Sequence, residues 1–289
     1  MGEKFRVETG QVQETLLVPL YGRAVETRKR RGLLRDPLAV QMVEAIDYDF
    51  TKFDSEARSL FGSVLRTLIF DDWVKRFLTR YPAGTVVELG AGLNTRFERL
   101  DNGTVHWVDV DLPDVVELRR RFMTDSERRL TVAGSALDPG WLERVRAMPG
   151  PFFVATEAVL LYLGEPGARR ALSLVTQGLP GAWIALDTAT SRMIESQARR
   201  TALGKMDARM TWACEDPRAL EQWGLGLRVR QSRSLAELPA AVRASAPWRI
   251  RAALALVSML LPSRSAQYRV ALLQHEPLAK DLVPQEAVD

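Results

Sequence analysis

The spacing of apolar residues divides the chain into a helical first part and a second part in which strands and helices alternate. Within residues 1–81, apolar side chains recur at helical spacing over 14–20, 36–46 and 55–78. Asp36 followed by Pro37 is typical of a helix start, because aspartate caps the first turn and proline fits its first position. This pattern predicts an N-terminal helical cap that ends at residue 81.

From residue 82 onward, short apolar runs alternate with helical patterns. The runs that indicate strands lie at 85–89, 104–110, 129–133, 152–156, 181–187, 226–231 and 267–274. The helical patterns between them lie at 94–100, 113–124, 139–148, 165–178 and 216–223. Such alternation predicts a parallel sheet with helices on both faces, although the last strand follows no clear crossover helix and is expected to be antiparallel.

Two insertions interrupt this alternation, at about 188–215 and 236–265. Each follows a predicted strand, and the ligand crevice of an open α/β sheet lies outside the carboxyl ends of its strands. We therefore expect both insertions to be helical lids over a ligand. The first is rich in methionine and arginine, at Met193, Met206, Met210, Arg192, Arg199, Arg200 and Arg209.

The most informative stretch joins the first two predicted strands. The first strand carries Glu88 and breaks at once into Gly90 and Gly92. Glycines in such a turn let the backbone approach a ligand closely, and the helix that follows offers free N–H groups. The second strand ends in Asp109 and Asp111, and an acid at that place suits a ribose diol. The stretch therefore predicts a nucleotide-type cofactor.

The same stretch departs from the dinucleotide-binding pattern. Thr95 and Arg96 stand where that pattern has its third glycine, which serves close packing beside a pyrophosphate. Glu88 places a carboxylate before the first glycine, and a carboxylate suits an ammonium or sulfonium group better than a diphosphate. The form E-L-G-A-G with a downstream acid thus resembles the first two motifs of methyltransferases that use S-adenosylmethionine (SAM).

Composition and charge argue against several classes of function and of binding site. The net charge of +4 is small, and the arginine clusters at 28–31 and 119–121 are interpreted as solvated helix faces, so no nucleic acid is expected. The single cysteine, Cys214, excludes an intrachain disulfide and a cysteine-cluster metal site, and no metal is expected. No signal peptide is visible, and the apolar run 252–261 is far shorter than the ~20 residues of a membrane span. A cytoplasmic protein without membrane contact is predicted.

Several longer motifs resemble the leucine carboxyl methyltransferase family, and within it the polyketide O-methyltransferase branch of the tetracenomycin type. They are E-T-L-L-V-P-L (14–20), L-L-R-D-P-L-A (33–39), I-D-Y-D-F-T-K-F (46–53), V-V-E-L-G-A-G-L-N-T-R (86–96), W-V-D-V-D-L-P-D-V (107–115), A-L-D-P-G-W-L (136–142) and T-E-A-V-L-L-Y-L (156–163). The resemblance implies a seven-stranded class I SAM-dependent methyltransferase sheet, which is Rossmann-like, with an N-terminal helical cap (1–81) before the methyltransferase domain (82–289).

The resemblance also implies roles for individual residues. Arg66 matches the arginine that holds the methionine carboxylate of SAM, and Arg23 matches, with looser spacing, a second basic residue there. Glu157 matches a glutamate near the methionine end, and Asp111 matches the ribose ligand. The family carries an acid near the adenine after the third strand, where this chain has Gly134 and Ser135. The predicted cofactor-binding set is Arg23, Arg66, Glu88, Gly90, Gly92, Asp111, Ser135, Ala136 and Glu157.

No histidine is a candidate base. His106 lies within a predicted strand and His275 just beyond one, so structural roles are expected for both. Tyr162 and Arg192 are the predicted catalytic residues, with Arg192 orienting an anionic acceptor because it lies nearest the end of the fifth strand. A carboxylate acceptor needs no base, whereas a phenol usually does unless its own pKa is low. A carboxylate or an acidic phenol is therefore favoured.

Four functions stay open at this stage. The favoured one is a SAM-dependent O-methyltransferase that acts as a monomer or homodimer on a small aromatic or polyketide-type metabolite. A protein C-terminal carboxylate is the alternative acceptor. A nicotinamide-dependent oxidoreductase is disfavoured by the missing third glycine and by the lack of a Tyr-x-x-x-Lys pair. A partner-binding protein that has lost methylation is disfavoured by the retained Arg66 and Glu157.

Overall fold

A computed structural model of the chain describes residues 5–6, 11–198 and 209–277. Its centre is a seven-stranded sheet with strands β1 (Thr85–Leu89), β2 (His106–Asp111), β3 (Arg129–Ala133), β4 (Phe152–Thr156), β5 (Trp183–Ala189), β6 (Leu227–Ser234) and β7 (Tyr268–His275). Their spatial order is β3-β2-β1-β4-β5-β7-β6. Strands β1 to β5 pair in parallel, and β7 lies antiparallel to both of its neighbours.

Helices cover the sheet and precede it. They are α1 (Gln11–Arg28), α2 (Pro37–Ala45), α3 (Ala57–Arg80), α4 (Arg96–Leu100), α5 (Pro113–Arg120), α6 (Gly140–Arg146), α7 (Gly164–Gly178), α8 (Ser191–Ala198), α9 (Ala240–Ser245), α10 (Trp248–Leu260) and α11 (Pro262–Ser265). Turns of 3-10 helix lie at Phe50–Glu56, Leu160–Tyr162 and Pro217–Trp223. A short parallel pair, Phe5–Arg6 with Ile46–Asp47, lies apart from the main sheet. None of the helices in the described part of the chain is long and apolar enough to cross a membrane.

The predicted fold class is confirmed. All seven predicted strands form, and the last one is antiparallel as expected because β7 pairs with β5 in that sense. The predicted helix start at Asp36 is also present, since its carboxylate accepts a hydrogen bond from Ala39 N at 3.0 Å. The expected helix at 216–223 is instead a 3-10 turn, which Asp216 caps by accepting from Arg218 N at 3.0 Å.

The N-terminal helices pack on the sheet rather than beside it. On α3, Phe70, Trp73 and Phe77 form one apolar cluster with Trp107 and Phe153 of the sheet. A second cluster joins α1 and α2 to the loop after β1, through residues that include Leu17, Met42 and Leu93. These contacts place α1 over the carboxyl ends of the parallel strands. The division of the chain at residues 81 and 82 stays a prediction.

Candidate cofactor and acceptor site

A cavity of about 570 Å³ lies at the carboxyl ends of β1, β2 and β4, between the sheet and α1. It collects ten predicted site residues that are far apart in sequence: Arg23, Arg66, Glu88, Gly90, Gly92, Asp111, Ser135, Ala136, Glu157 and Tyr162. Arg192 is exposed on α8 and does not line the cavity. None of the residues lining the cavity comes from the insertion at 236–265.

The turn after β1 brings bare backbone to the wall of the cavity. Gly90 and Gly92 have positive φ angles of 76° and 51°. The N–H groups of Gly90 and Ala91 donate to Val110 O at 2.8 and 3.1 Å, which ties the turn to β2. A Cβ atom at Gly90 would lie 2.3 Å from Val159 Cγ2, so no side chain fits there. Glycine is required at this position for both its conformation and its small volume.

Asp111, the last residue of β2, is held in a fixed orientation beside this turn. Its Oδ2 accepts from Gly92 N at 2.6 Å, and its Oδ1 accepts from Leu112 N at 2.7 Å. Burial raises the pKa of Asp111, and the two backbone hydrogen bonds oppose that rise. Each carboxylate oxygen keeps a lone pair for another donor. The carboxylate therefore suits the paired hydroxyl groups of a ribose.

The other end of the cavity is built on Arg96, which the sequence analysis noted only as the residue replacing a glycine. Its side chain has no exposed surface. Its guanidinium donates to Asp71 Oδ1 at 2.7 Å and to the carboxylates of Glu88 and Glu157. Burial alone lowers the pKa of Arg96, but the three carboxylates outweigh burial and raise it. Arg96 thus fixes two acids of the cavity wall.

Arg66 belongs to the same buried network. Its Nε donates to Glu157 Oε1 at 2.9 Å, and its Nη1 donates to Tyr268 OH at 3.0 Å. Burial raises the pKa of Glu157, but the nearby guanidinium groups of Arg66 and Arg96 outweigh it and hold that pKa at about 2. Arg66 lines the cavity, and its predicted contact with a methionine carboxylate stays a prediction.

Arg23 extends the network to α1. Its Nε donates to Asp36 Oδ2 at 2.8 Å, and its Nη2 donates to Leu93 O at 2.6 Å. Burial lowers the pKa of Arg23, while the carboxylate of Asp36 opposes that effect. The connected ion pairs contain five carboxylates and four arginines: Asp36, Asp71, Glu88, Glu157, Asp187, Arg23, Arg66, Arg96 and Arg99. This excess of acid suits a ligand with a net positive charge.

Asn94 provides a further contact point that sequence reasoning missed. It lines the cavity, and its Nδ2 donates to Glu88 Oε2 at 3.4 Å. Its Oδ1 is buried and has no hydrogen-bond partner among the residues that the structure describes. A buried acceptor without a donor is costly, so a ligand ammonium would satisfy it. The acceptor groups of the cavity therefore fit SAM, whose methionine end carries an ammonium and a sulfonium.

Asp187 and Tyr268 were also missed, and both lie directly behind Arg66. Asp187 is fully buried near the end of β5 and accepts from Tyr268 OH at 2.5 Å and from Ala158 N at 2.8 Å. Burial raises the pKa of Asp187 to about 6. The signal available in the sequence was an acid inside an otherwise apolar strand, I-A-L-D-T at 184–188.

The remaining wall of the cavity comes from α1, from the turn Leu160–Tyr162 and from the second half of the first insertion. Arg209 and Thr211 lie on this wall. The N–H groups of Thr211 and Trp212 donate to Leu161 O at 2.7 and 3.0 Å, which fixes this segment against the turn. Burial raises the pKa of Tyr162, so its hydroxyl is a donor rather than a base at neutral pH. Met206, Arg199 and Arg200 of the same insertion lie outside the described residues.

Comparisons with known proteins identify relatives of this chain. The sequence profile of the leucine carboxyl methyltransferase family matches residues 17–176. The tetracenomycin polyketide synthesis O-methyltransferase TcmP of Streptomyces glaucescens is 32% identical over 240 residues, which cover 83% of this chain and 88% of that protein. The SAM-dependent methyltransferase dpfgK of Gibberella zeae is 29% identical and covers 79% of this chain and 84% of its own length.

A solved structure from Thermobifida fusca, described as a methyltransferase, shares the fold. It superimposes with a TM-score of 0.56 at 15% identity and covers 76% of this chain and 83% of its own. At this identity the likeness concerns the fold alone. The matched region of the family profile contains the glycine turn, Asp111, Arg96 and Glu157, whereas Arg209 and Thr211 of the cavity wall lie beyond its end.

Proposed function

Because the chain belongs to the leucine carboxyl methyltransferase family, we propose that it methylates a carboxylate or an acidic phenol of a small polyketide-type or aromatic metabolite. Its fold and relatives make it a SAM-dependent methyltransferase. The proposed acceptor class rests on one observation. The cavity is lined by acids that suit SAM and, in its remaining wall, by a cation, Arg209, that suits an anionic acceptor.

The acidic wall would hold the cofactor. Bound SAM supplies an electrophilic methyl group on its sulfonium sulfur. Asp111 would accept the ribose hydroxyls, while Ser135 and Ala136 line the region where the adenine is expected. Glu88 and Asn94 would accept from the methionine ammonium, and Arg96 keeps the Glu88 carboxylate in place. Their fixed geometry positions the donor without reorganisation.

The wall that carries Arg209 would align the acceptor. An acceptor that is already anionic at neutral pH needs no general base, and no histidine is among the described residues that line the cavity. Tyr162 and Thr211 offer neutral hydroxyl groups, and Arg209 offers a guanidinium that can hold a carboxylate through two parallel hydrogen bonds. The residues of this wall thus orient the acceptor oxygen and exclude water.

Arg209 replaces Arg192 in the proposed orienting role. Arg192 was predicted for this role because it follows β5 closely, yet it does not line the cavity, whereas Arg209 does. Arg209 is distant from β5 in sequence but returns to the cavity because Thr211 and Trp212 bind the Leu161 carbonyl. The part of the insertion that carries Arg209 and Thr211 is proposed as part of the acceptor wall.

The test combines SAM labelled in its methyl group with a panel of aromatic acids, polyketide-type phenols and a peptide C-terminus. Transfer to a carboxylate gives a methyl ester that mild alkali hydrolyses, whereas transfer to a phenol gives an alkali-stable ether. We expect Arg209→Gln to raise the acceptor KM by about tenfold or more, the effect of losing a charged hydrogen-bond pair. SAM affinity should not change.

Arg192→Gln is the matched control and should leave both constants unchanged. Equal kinetics of the Arg209→Gln variant and the wild type on every methylated acceptor would contradict the orienting role. Transfer to the peptide C-terminus alone would overturn the proposed acceptor class. Label transfer to none of the three acceptor types would contradict the proposed function itself.

A further inference from the structure

Helix α10 presents its apolar side to solvent. Trp248, Leu256, Met259 and Leu260 have exposed fractions of 68%, 52%, 71% and 61%. Their spacing places them on one face of the helix. The opposite face, with Ile250 and Leu254, is half-buried against the body of the protein. Large exposed apolar patches on a protein surface are typical of interaction sites.

The charge around this apolar face has a single sign. No aspartate or glutamate occurs between Glu237 and Glu276, whereas Arg243, Arg249, Arg251 and Arg264 lie in α9 to α11. The guanidinium of Arg249 stacks on the exposed ring of Trp248, with its carbon 5.6 Å from the ring centroid. The helix therefore combines an apolar face with a basic rim.

A groove beside α10 is also lined mainly by basic side chains. It has a volume of about 560 Å³ and lies between the helix and the end of β6. Three arginines and one glutamate line it: Arg233, Arg243, Arg251 and Glu237. Leu238 and Leu254 form apolar wall beside them. Guanidinium groups next to an apolar surface suit a ligand that carries an anionic head and an aliphatic body.

We propose that α10 docks on the surface of an anionic phospholipid membrane. An interfacial helix inserts its apolar face to the depth of the headgroups while basic residues contact anionic lipids. Such a helix needs no spanning length, so the thirteen residues of α10 suffice. No membrane contact was expected from the sequence because the apolar run 252–261 is too short to span a bilayer, but an interfacial helix does not need to span it.

The docking face lies at the same edge of the sheet as the cavity. The segment that carries α10 ends at Tyr268, whose hydroxyl accepts from Arg66 at 3.0 Å and donates to Asp187. A second copy of the chain is a less favourable occupant, because a two-fold interface through this face would bring the arginines of both copies together, and Glu237 is the one acid among the described residues that line the groove.

The experiment measures co-sedimentation of the full chain with vesicles of phosphatidylglycerol and phosphatidylcholine, and with vesicles of phosphatidylcholine alone. We expect binding to the anionic vesicles at least tenfold stronger, and weaker in high salt. Leu256→Glu/Leu260→Glu should abolish binding to both. Arg249→Glu/Arg251→Glu should weaken binding to anionic vesicles by about fivefold or more for each arginine changed.

Arg144→Glu reverses an exposed charge on α6 and is the matched control. We expect this variant to bind vesicles like the wild type, apart from the small effect of its lower net charge. Unchanged SAM affinity in each variant shows that the fold is intact, since α10 contributes nothing to the cavity. Absence of binding to anionic vesicles, or equal binding by the Leu256→Glu/Leu260→Glu variant, would overturn the proposal. A dimer in light scattering that this variant splits, without vesicle binding, would identify α10 as a self-association face and overturn it equally.

Discussion

Two buried arginines determine the charge state of Glu157. Arg66 donates to Oε1 and Arg96 donates to Oε2, and Thr67 Oγ1 also donates to Oε1 at 3.0 Å. An unpaired charge in this position would be expensive, so the three groups depend on one another. At the scale of single residues, the site is therefore a set of mutually dependent charges.

The pKa of Glu157 predicts a pH dependence of stability. The pKa is about 2 in the folded chain, against an ordinary value of 4.5. The folded state thus gains stability from Glu157 that is fully present above pH 4.5 and is lost as the pH falls towards 2. For a carboxylate with this shift, the free energy of unfolding changes by on the order of 3 kcal/mol.

Glu157→Gln tests this dependence. The amide removes the charge and turns an NH₂ group towards the Arg96 guanidinium, so we expect a loss of about 3–5 kcal/mol in the free energy of unfolding at pH 7, as for a broken buried pair. Urea unfolding between pH 2 and pH 7 is the measurement, and the difference between wild type and variant should shrink as the pH falls. A difference that stays constant over that range would contradict the assignment.

The glycine turn after β1 is the element on which the cavity depends. Gly90 combines a positive φ of 76° with a Cβ position only 2.3 Å from Val159 Cγ2. Gly181 has nearly the same φ, 77°, but its Cβ position is free of neighbours within 4 Å. The two glycines therefore separate the cost of a left-handed conformation from the cost of a steric clash.

We expect Gly181→Ala to lower the free energy of unfolding by about 1–2 kcal/mol, the cost of a left-handed residue with a Cβ atom. Gly90→Ala should cost more and should also weaken SAM binding, because the turn must move. Adding Val159→Ala to Gly90→Ala should restore the steric part of the loss and leave the conformational part. Equal losses in Gly90→Ala and Gly181→Ala would show that Val159 does not restrict the turn.

Elements of the sheet were predictable because each carries its own signal. Strand β1 is a short apolar run that stops at Gly90, and α2 begins at a capping Asp36 before a proline. The 3-10 turn at Pro217–Trp223 was predicted as a helix, because its apolar spacing does not distinguish the tighter turn that Asp216 caps. Arg96 carried a signal as well, but its burial among three carboxylates depends on α3 and β4, which are remote in sequence.

At the scale of the whole molecule, the cofactor part of the proposed site was easier to predict from the sequence than the acceptor part. Gly90 follows β1 and Asp111 ends β2, and the carboxyl ends of these parallel strands meet at one edge of the sheet. The proposed acceptor wall joins α1 to a segment at 209–211 that is placed by hydrogen bonds to Leu161. No local pattern indicates such a contact, which is why Arg192 was favoured over Arg209.

The proposed function depends on a cavity that binds SAM, and one calorimetric experiment tests this binding most directly. The purified chain is titrated with SAM, with S-adenosylhomocysteine and with NAD. We expect SAM and S-adenosylhomocysteine to bind in the low-micromolar range or tighter and NAD not to bind. Asp111→Asn should weaken SAM binding by about tenfold or more, the effect of losing hydrogen bonds to a charged group. Asp125→Asn, at an exposed position, is the control and should bind SAM like the wild type. Binding of NAD without SAM, or unchanged SAM affinity in the Asp111→Asn variant, would contradict the account.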